Sequence, residues 1–170
     1  MKPIDFVKWL YPEAKKLPDI SPVFTVAQAA LESGWGGHII GKYNLFGITK
    51  GAWTGKTLLV DTTEVFNSAT VQFKAPEQVL KVTKLPSGKY HYDCKRLFRY
   101  YDSLESALQD HFKIFYQPAF REDLAFASDP VKFAQAIQQG KQHYATDPNY
   151  VKTMTSVIGM VQKIVTENKL

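Results

Sequence analysis

The sequence predicts an α+β fold, mainly helical, with a small sheet segregated to one lobe in the middle of the chain. Three observations carry this prediction. Apolar residues recur at helical spacing before Gly34 and again after Asp102. β-prone runs separated by turn signals are confined to a stretch from about 56 to 101. The chain has 170 residues, 45% hydrophobic and 22% charged, which suits one compact domain over residues 1–170 and gives no sign of disorder. No internal repeat or low-complexity segment interrupts it.

The first helix is expected from Ile4 to about Leu17, where Phe6, Leu10 and Ala14 share a face, with a kink or restart at Pro12. Ser21-Pro22 supplies an N-cap followed by the proline favoured at the first helical position. The helix it starts carries Phe24, Ala27, Gln28 and Leu31 and stops at Gly34. Seven glycines between Gly34 and Gly55 then dictate loop. Strands are expected at Thr57–Val60, Val71–Phe73, Val79–Val82 and Leu97–Tyr101, with Pro86-Ser87-Gly88-Lys89 as a turn. Asp102-Ser103-Leu104-Glu105 reads as a capping box opening a helix with Leu104, Leu108, Phe112 and Phe115 on one face. Asp129-Pro130 starts a short helix ending at Gly140. Asp147-Pro148 starts the last, which carries Val151, Met154, Val157, Ile158 and Val161.

Charge and composition narrow the partners without choosing one. The net charge of +5 favours polyanions, among them nucleic acid, anionic membrane and the carboxylate-rich bacterial wall. The basic residues are scattered, so solvated faces account for them equally well. The one cysteine, Cys94, rules out an internal disulfide and a zinc site of spaced cysteine pairs. Cys94 beside His91, Lys95 and Arg96 raises the idea of a thiol nucleophile, but no base is paired with it at a defined position, so a plain cysteine is the stronger reading. The histidines show no ligand spacing, no metal or other cofactor is expected, and His111 falls on an apolar helical face as a core histidine. No segment approaches the ~20 apolar residues of a membrane span, and the first residues lack the apolar stretch of a signal peptide.

Glu32 is the most informative residue. It lies in the last turn of the second helix, beside Leu31 and near Trp35, where helices ordinarily place cations. Apolar surroundings and the negative helix end both raise a carboxyl pKa, and a carboxyl protonated near neutral pH is what a glycosidic oxygen requires. Taken alone, a solvated helix-end glutamate is an equal reading. Trp35, Phe46 and Trp53, set among loop glycines, are expected to form a wall on which sugar rings stack. Asn44 either presents its amide to the sugar or braces the loop by an Asx-type bond.

The string Ala27-Gln28-Ala29-Ala30-Leu31-Glu32-Ser33-Gly34-Trp35-Gly36 closely resembles the catalytic signature of glycoside hydrolase family 73, which includes bacterial autolysin glucosaminidases and flagellar-rod-type peptidoglycan hydrolases. Three further segments resemble the family in its own order: Tyr43-Asn44-Leu45-Phe46-Gly47-Ile48, Phe98-Arg99-Tyr100-Tyr101-Asp102-Ser103, and Tyr144-Ala145-Thr146-Asp147-Pro148-Asn149-Tyr150. The resemblance implies a lysozyme-like fold with a small antiparallel β-lobe. It also implies cleavage of β-1,4 bonds beside N-acetylhexosamine in peptidoglycan glycan strands, as an endo-β-N-acetylglucosaminidase with Glu32 as general acid. It makes Glu64, in Asp61-Thr62-Thr63-Glu64-Val65, the second carboxylate, with Asp61 as fallback, and places Tyr144 at the catalytic centre. From Phe66 to Arg96 the chain departs from the compact family pattern and reads as a longer β-lobe.

An N-acetylmuramidase or a lytic transglycosylase on the same fold is the enzymatic alternative. A non-catalytic module holding glycan or single-stranded nucleic acid is the other, and an acid in the groove speaks against polyanion binding there, so no specific nucleic acid is expected. The resemblance places the action at the cell wall, in the periplasm or outside the cell. Without a signal peptide, that implies export by a non-classical or holin-type route, or a trimmed chain. The sequence leaves the oligomeric state open.

Overall fold

A computed structural model describes residues 1–140 and 142–170. Helix α1 (Pro3–Ala14) starts with Pro3 in its first turn and buries Phe6, Val7, Leu10 and Ala14. It continues past Pro12 and ends at Ala14, three residues short of the expected Leu17. Helix α2 (Pro22–Ser33) is capped as expected: the Ser21 hydroxyl accepts from Phe24 N at 3.5 Å. Gly34 closes it at φ 56°, in the left-handed region, and donates its N–H to the Ala30 carbonyl.

Eight of the twelve α2 residues are buried, alanines prominent among them. Small side chains let α1, α4 (Pro130–Gln139) and α5 (Tyr150–Asn168) pack around α2 as a central rod. The aromatic core forms on the same helix: Phe24 packs edge-on against Phe115 and Phe133, with centroids 5.9 and 4.7 Å away.

The β-lobe is a three-stranded antiparallel sheet in the order β1-β3-β2, built from β1 (Thr57–Phe66), β2 (Gln78–Lys84) and β3 (Tyr90–Arg99). All three strands run longer than expected, β1 and β3 because they pair along their whole length, Thr57 opposite Arg99 through Phe66 opposite Tyr90. The expected strand at Val71–Phe73 does not form. Its side chains pack instead, with the Phe73 ring 6.1 Å from Phe66 and 4.3 Å beneath the Arg96 guanidinium.

Two of the remaining helix starts move, by one and two residues, for local reasons. Asp102 is drawn to Lys56 (2.9 Å), and Ser103 caps α3 (Leu104–Phe112) by accepting from Ser106 N. Asp129 caps α4 as expected, its Oδ1 accepting from Val131 N and Lys132 N. Asp147 accepts from Asn149 N in a turn of its own, so α5 opens at Tyr150. A 3₁₀ helix at Arg121–Phe126 has no counterpart in the sequence reading.

One polar junction joins the lobes. Asp110 is buried and accepts from Arg99 Nη1 (2.7 Å), Tyr101 Oη (2.6 Å) and Lys113 Nζ (3.1 Å). Arg99 also donates through Nε to the Thr49 carbonyl at 3.1 Å. The end of β3, the loop at 44–49 and α3 are thereby held in one arrangement.

Candidate active site

Glu32 and Glu64, far apart in sequence and on different lobes, line the same cleft of about 630 Å³. Glu32 reaches it from the last turn of α2. The chain then reverses sharply through Gly34 and Trp35, both at φ 56°, fixed by Trp35 N to Ala30 O (2.8 Å) and His38 N to Ser33 O (2.9 Å). That reversal brings His38, Ile39 and Ile40 onto the cleft, and Phe46 and Phe98 complete its apolar side. The Glu32 side chain presents much of its surface to water. It does so from within a concavity, where surrounding protein excludes most of the solvent shell. Desolvation accordingly holds its carboxyl above the usual glutamate range.

Glu64 is positioned by strand alternation. Val60, Thr62 and Glu64 are half-buried on the cleft face of β1, while Asp61, Thr63 and Val65 are exposed on the other. A one-residue slip would replace Glu64 in the cleft with Thr63 or Val65. Glu64 Oε1 accepts from Arg96 Nη1 at 3.2 Å, and Arg96 Nε donates to Glu77 Oε1 at 2.9 Å. Glu77 also accepts from Leu97 N, so Arg96 is braced between two carboxylates. Asp61 borders the cleft, but its side chain is paired with Lys95 at 2.7 Å on the outer face.

Tyr144 stacks against Phe115 (5.8 Å) and lies 5.5 Å from Tyr150. Burial, and next the negative charge of Glu32, hold its phenol well above the ordinary tyrosine range. Phe46 stacks one face flat on His111, with centroids 3.7 Å apart and planes within 4°. Phe46 also lines the cleft.

Three expected binding residues have other work. Asn44 is fully buried; its Nδ2 donates to the Ile48 and Arg99 carbonyls and its Oδ1 accepts from Ile48 N, all at 2.9 Å. No group of that amide is left for a sugar, so Asn44 is the loop brace. Trp35 packs edge-on against Phe6 of α1, 5.9 Å away. Trp53 clamps its own loop, donating Nε1–H to the Lys56 carbonyl (3.0 Å) and packing on Tyr101. Neither tryptophan lines the Glu32 cleft. Conversely, His38 and Thr62 do line it, and no periodicity in the glycine-rich loop marked His38 in advance.

Cys94 is buried, and burial pushes its thiol up, the reverse of a thiolate nucleophile. Among the described residues no cluster of His, Cys, Asp or Glu has the makings of a metal site, and no helix is long and apolar enough to cross a membrane. A separate concavity of about 710 Å³ is lined by Ile48, Lys113 and Gln117, with Asp110 as its one carboxylate. Three donors occupy Asp110, so it offers no free acid.

The glucosaminidase family model, described as mannosyl-glycoprotein endo-beta-N-acetylglucosaminidase, matches residues 8–163. Peptidoglycan hydrolase FlgJ of Escherichia coli O157:H7 is 32% identical over 146 residues, which is 82% of this chain and 39% of that protein. The chain thus spans about two fifths of that relative's length. The glycoside hydrolase domain of Salmonella typhimurium FlgJ superposes with a TM-score of 0.73 at 26% identity, covering 99% of this chain and 94% of that one. A peptidoglycan hydrolase mutant from Sphingomonas sp. A1 gives 0.66 at 31% identity, covering 96% and 99%. With a lysozyme-like fold, mainly helical and bearing a small antiparallel β-lobe, and with that match over nearly its whole length, the chain belongs to the glucosaminidase family of glycoside hydrolases.

Proposed function

We propose that residues 1–170 form one catalytic domain that cuts bacterial peptidoglycan glycan strands at β-1,4 bonds, as an endo-β-N-acetylglucosaminidase. The observation that carries this is the meeting of Glu32, its carboxyl raised by desolvation, with Glu64 in one open cleft between the lobes. Glu32 gives its proton to the glycosidic oxygen as the bond to the anomeric carbon breaks. Water attacks that carbon from the opposite face and passes a proton to Glu64, which Arg96 holds in place. Tyr144 orients the acetamido group or hydrogen-bonds Glu32, and Phe46 packs on a sugar ring. The site of action is the cell wall, in the periplasm or outside the cell.

Purified sacculi digested with wild type and with Glu32→Gln provide the test, with the products read by mass spectrometry. Wild type is expected to release reducing N-acetylglucosamine ends, and the amide variant, unable to donate an acid proton, to lose roughly 10²–10⁴-fold in rate. Glu32→Gln activity within a few-fold of wild type would remove Glu32 from the mechanism. Reducing muramic ends, or anhydro-muramic ends, would reassign the bond cut or the reaction type.

A further inference from the structure

Among the described residues, three buried side-chain atoms have no hydrogen-bond partner: Gln28 Nε2, His111 Nδ1 and Tyr150 Oη. Buried polar groups are normally paired, and here the exceptions are neighbours. Gln28 lies on α2 one turn before Glu32, at the i, i+4 spacing that puts both on one helix face. His111, on α3, approaches it with Nε2 at 2.9 Å from Gln28 Oε1. Tyr144 and Tyr150, 5.5 Å apart, come in from the C-terminal segment. The Gln28 amide lies beside both phenols without forming a hydrogen bond of good geometry to Tyr150.

Burial pushes the His111 pKa down to about 3, so the ring is neutral and one nitrogen carries the proton. An amide oxygen at 2.9 Å assigns that proton to Nε2, which leaves Nδ1 as the unpaired acceptor. The Gln28 oxygen is then committed to His111, and its NH₂ group is turned toward the phenols. A phenol oxygen that accepts from this NH₂ has its own O–H left to point elsewhere, and the nearby carboxyl is Glu32. From this arrangement we infer that Gln28, oriented by His111, is a positioning residue that aims the Tyr144 and Tyr150 hydroxyls at Glu32, so that they stabilise its carboxylate as the proton leaves. The donors are in place before the charge appears and tighten onto it as it forms. This rests on Glu32 being the general acid.

The test is the pH dependence of kcat for Gln28→Met and Tyr150→Phe, alone and combined, with melting temperatures alongside. A general acid must be protonated, so its titration sets the alkaline limb of the profile. The groups that face Glu32 are Glu64 from β1, His38 from the loop after α2, and Tyr144 and Tyr150 from the C-terminal segment, with Asp61 at the cleft border and paired with Lys95. All remain in Gln28→Met, and all but Tyr150 in Tyr150→Phe. Losing a donor to the carboxylate should move the alkaline limb upward by about half a pH unit or more and lower kcat roughly tenfold, with KM little changed. Tyr150→Phe removes a hydroxyl that has no partner in the resting fold, so its melting temperature should hold.

If Gln28 acts through the phenols, the double variant loses little more than Gln28→Met alone. Additive losses, or a Tyr150→Phe enzyme with wild-type kcat and an unmoved limb, would overturn the inference. Should Gln28→Met fail to fold, His111→Phe, which preserves a ring against Phe46, takes its place in the same cycle. An inactive Glu32→Gln with an unmoved limb in these variants defeats this inference alone, whereas an active Glu32→Gln defeats the reading beneath it.

Discussion

Asp110→Asn keeps the shape of the side chain and removes its charge at the junction of the lobes. Asp110 is 3% exposed and Arg99 21%, so their 2.7 Å contact is largely shielded from water. Lys113 is two-thirds exposed and contributes at most ~1 kcal/mol. Removing one partner of a buried pair costs about 3–5 kcal/mol. Arg99 keeps its bond to the Thr49 carbonyl and some contact with water, which places the loss near the lower bound, at about 3 kcal/mol. For a chain of this length that corresponds to a fall of roughly 6–12 °C in Tm, measured by calorimetry at neutral pH.

The difference should also depend on pH. Burial alone would raise the Asp110 carboxyl, but hydrogen bonds from Tyr101, Arg99 and Lys113 outweigh it and hold the group below the usual aspartate range. A depressed folded pKa gives stability that is fully present above the unfolded value, ~3.9, and is lost as pH falls through the lower folded one. The gap between wild type and variant should therefore narrow below pH ~4. A variant within ~1 kcal/mol of wild type at neutral pH, or a gap that widens in acid, would refute the assignment of Asp110 as the charged tie between the lobes.

Two further outcomes follow from the same contacts. Glu77→Gln should leave the fold intact and lower kcat by about five- to tenfold, through a freed Arg96 and a less fixed Glu64, with KM little changed; steady-state kinetics on a soluble glycan reads this. Phe24→Ala, at a fully buried position between Phe115 and Phe133, should cost about 3–5 kcal/mol, seen in urea as a lower midpoint at unchanged slope.

The helices were legible because their starts are written in short-range chemistry. Ser21-Pro22 and Asp129-Pro130 carry cap and proline side by side, and the caps formed there. Where a tertiary partner competes for the capping side chain, as Lys56 does for Asp102, the start moved to the next residue able to cap. The strand at Val71–Phe73 misled because β propensity measures the fit to a pleated surface and does not say whether a segment pairs with a neighbour. Glu32 stood out as an acid at the end of a helix where cations are usual, but the family resemblance was needed to single out both it and Glu64. The directions of Asn44, Trp35 and Trp53 were not legible, because a glycine-rich loop has no period from which to read inside and outside. Gln28 looked like one more residue of an alanine-rich helix; only the approach of His111 from α3 showed that its amide is engaged.

The strand order β1-β3-β2 has a consequence for anyone who redesigns or trims this domain. β1 and β3 pair directly, so residues 67–89 form an excursion whose own strand hangs on the outside, exposed along its whole length. Such appendages are ordinarily the cheapest part of a protein to shorten, since the ladder behind them closes without them. This one returns two side chains to the lobe, with Glu77 bonded to Arg96 and Phe73 beneath its guanidinium. A version cut back to a tight β1–β3 turn would keep its sheet and lose the far anchor of the arginine that holds Glu64. A minimal form of this enzyme therefore has to supply a new carboxylate for Arg96 at the same time as the excursion is removed.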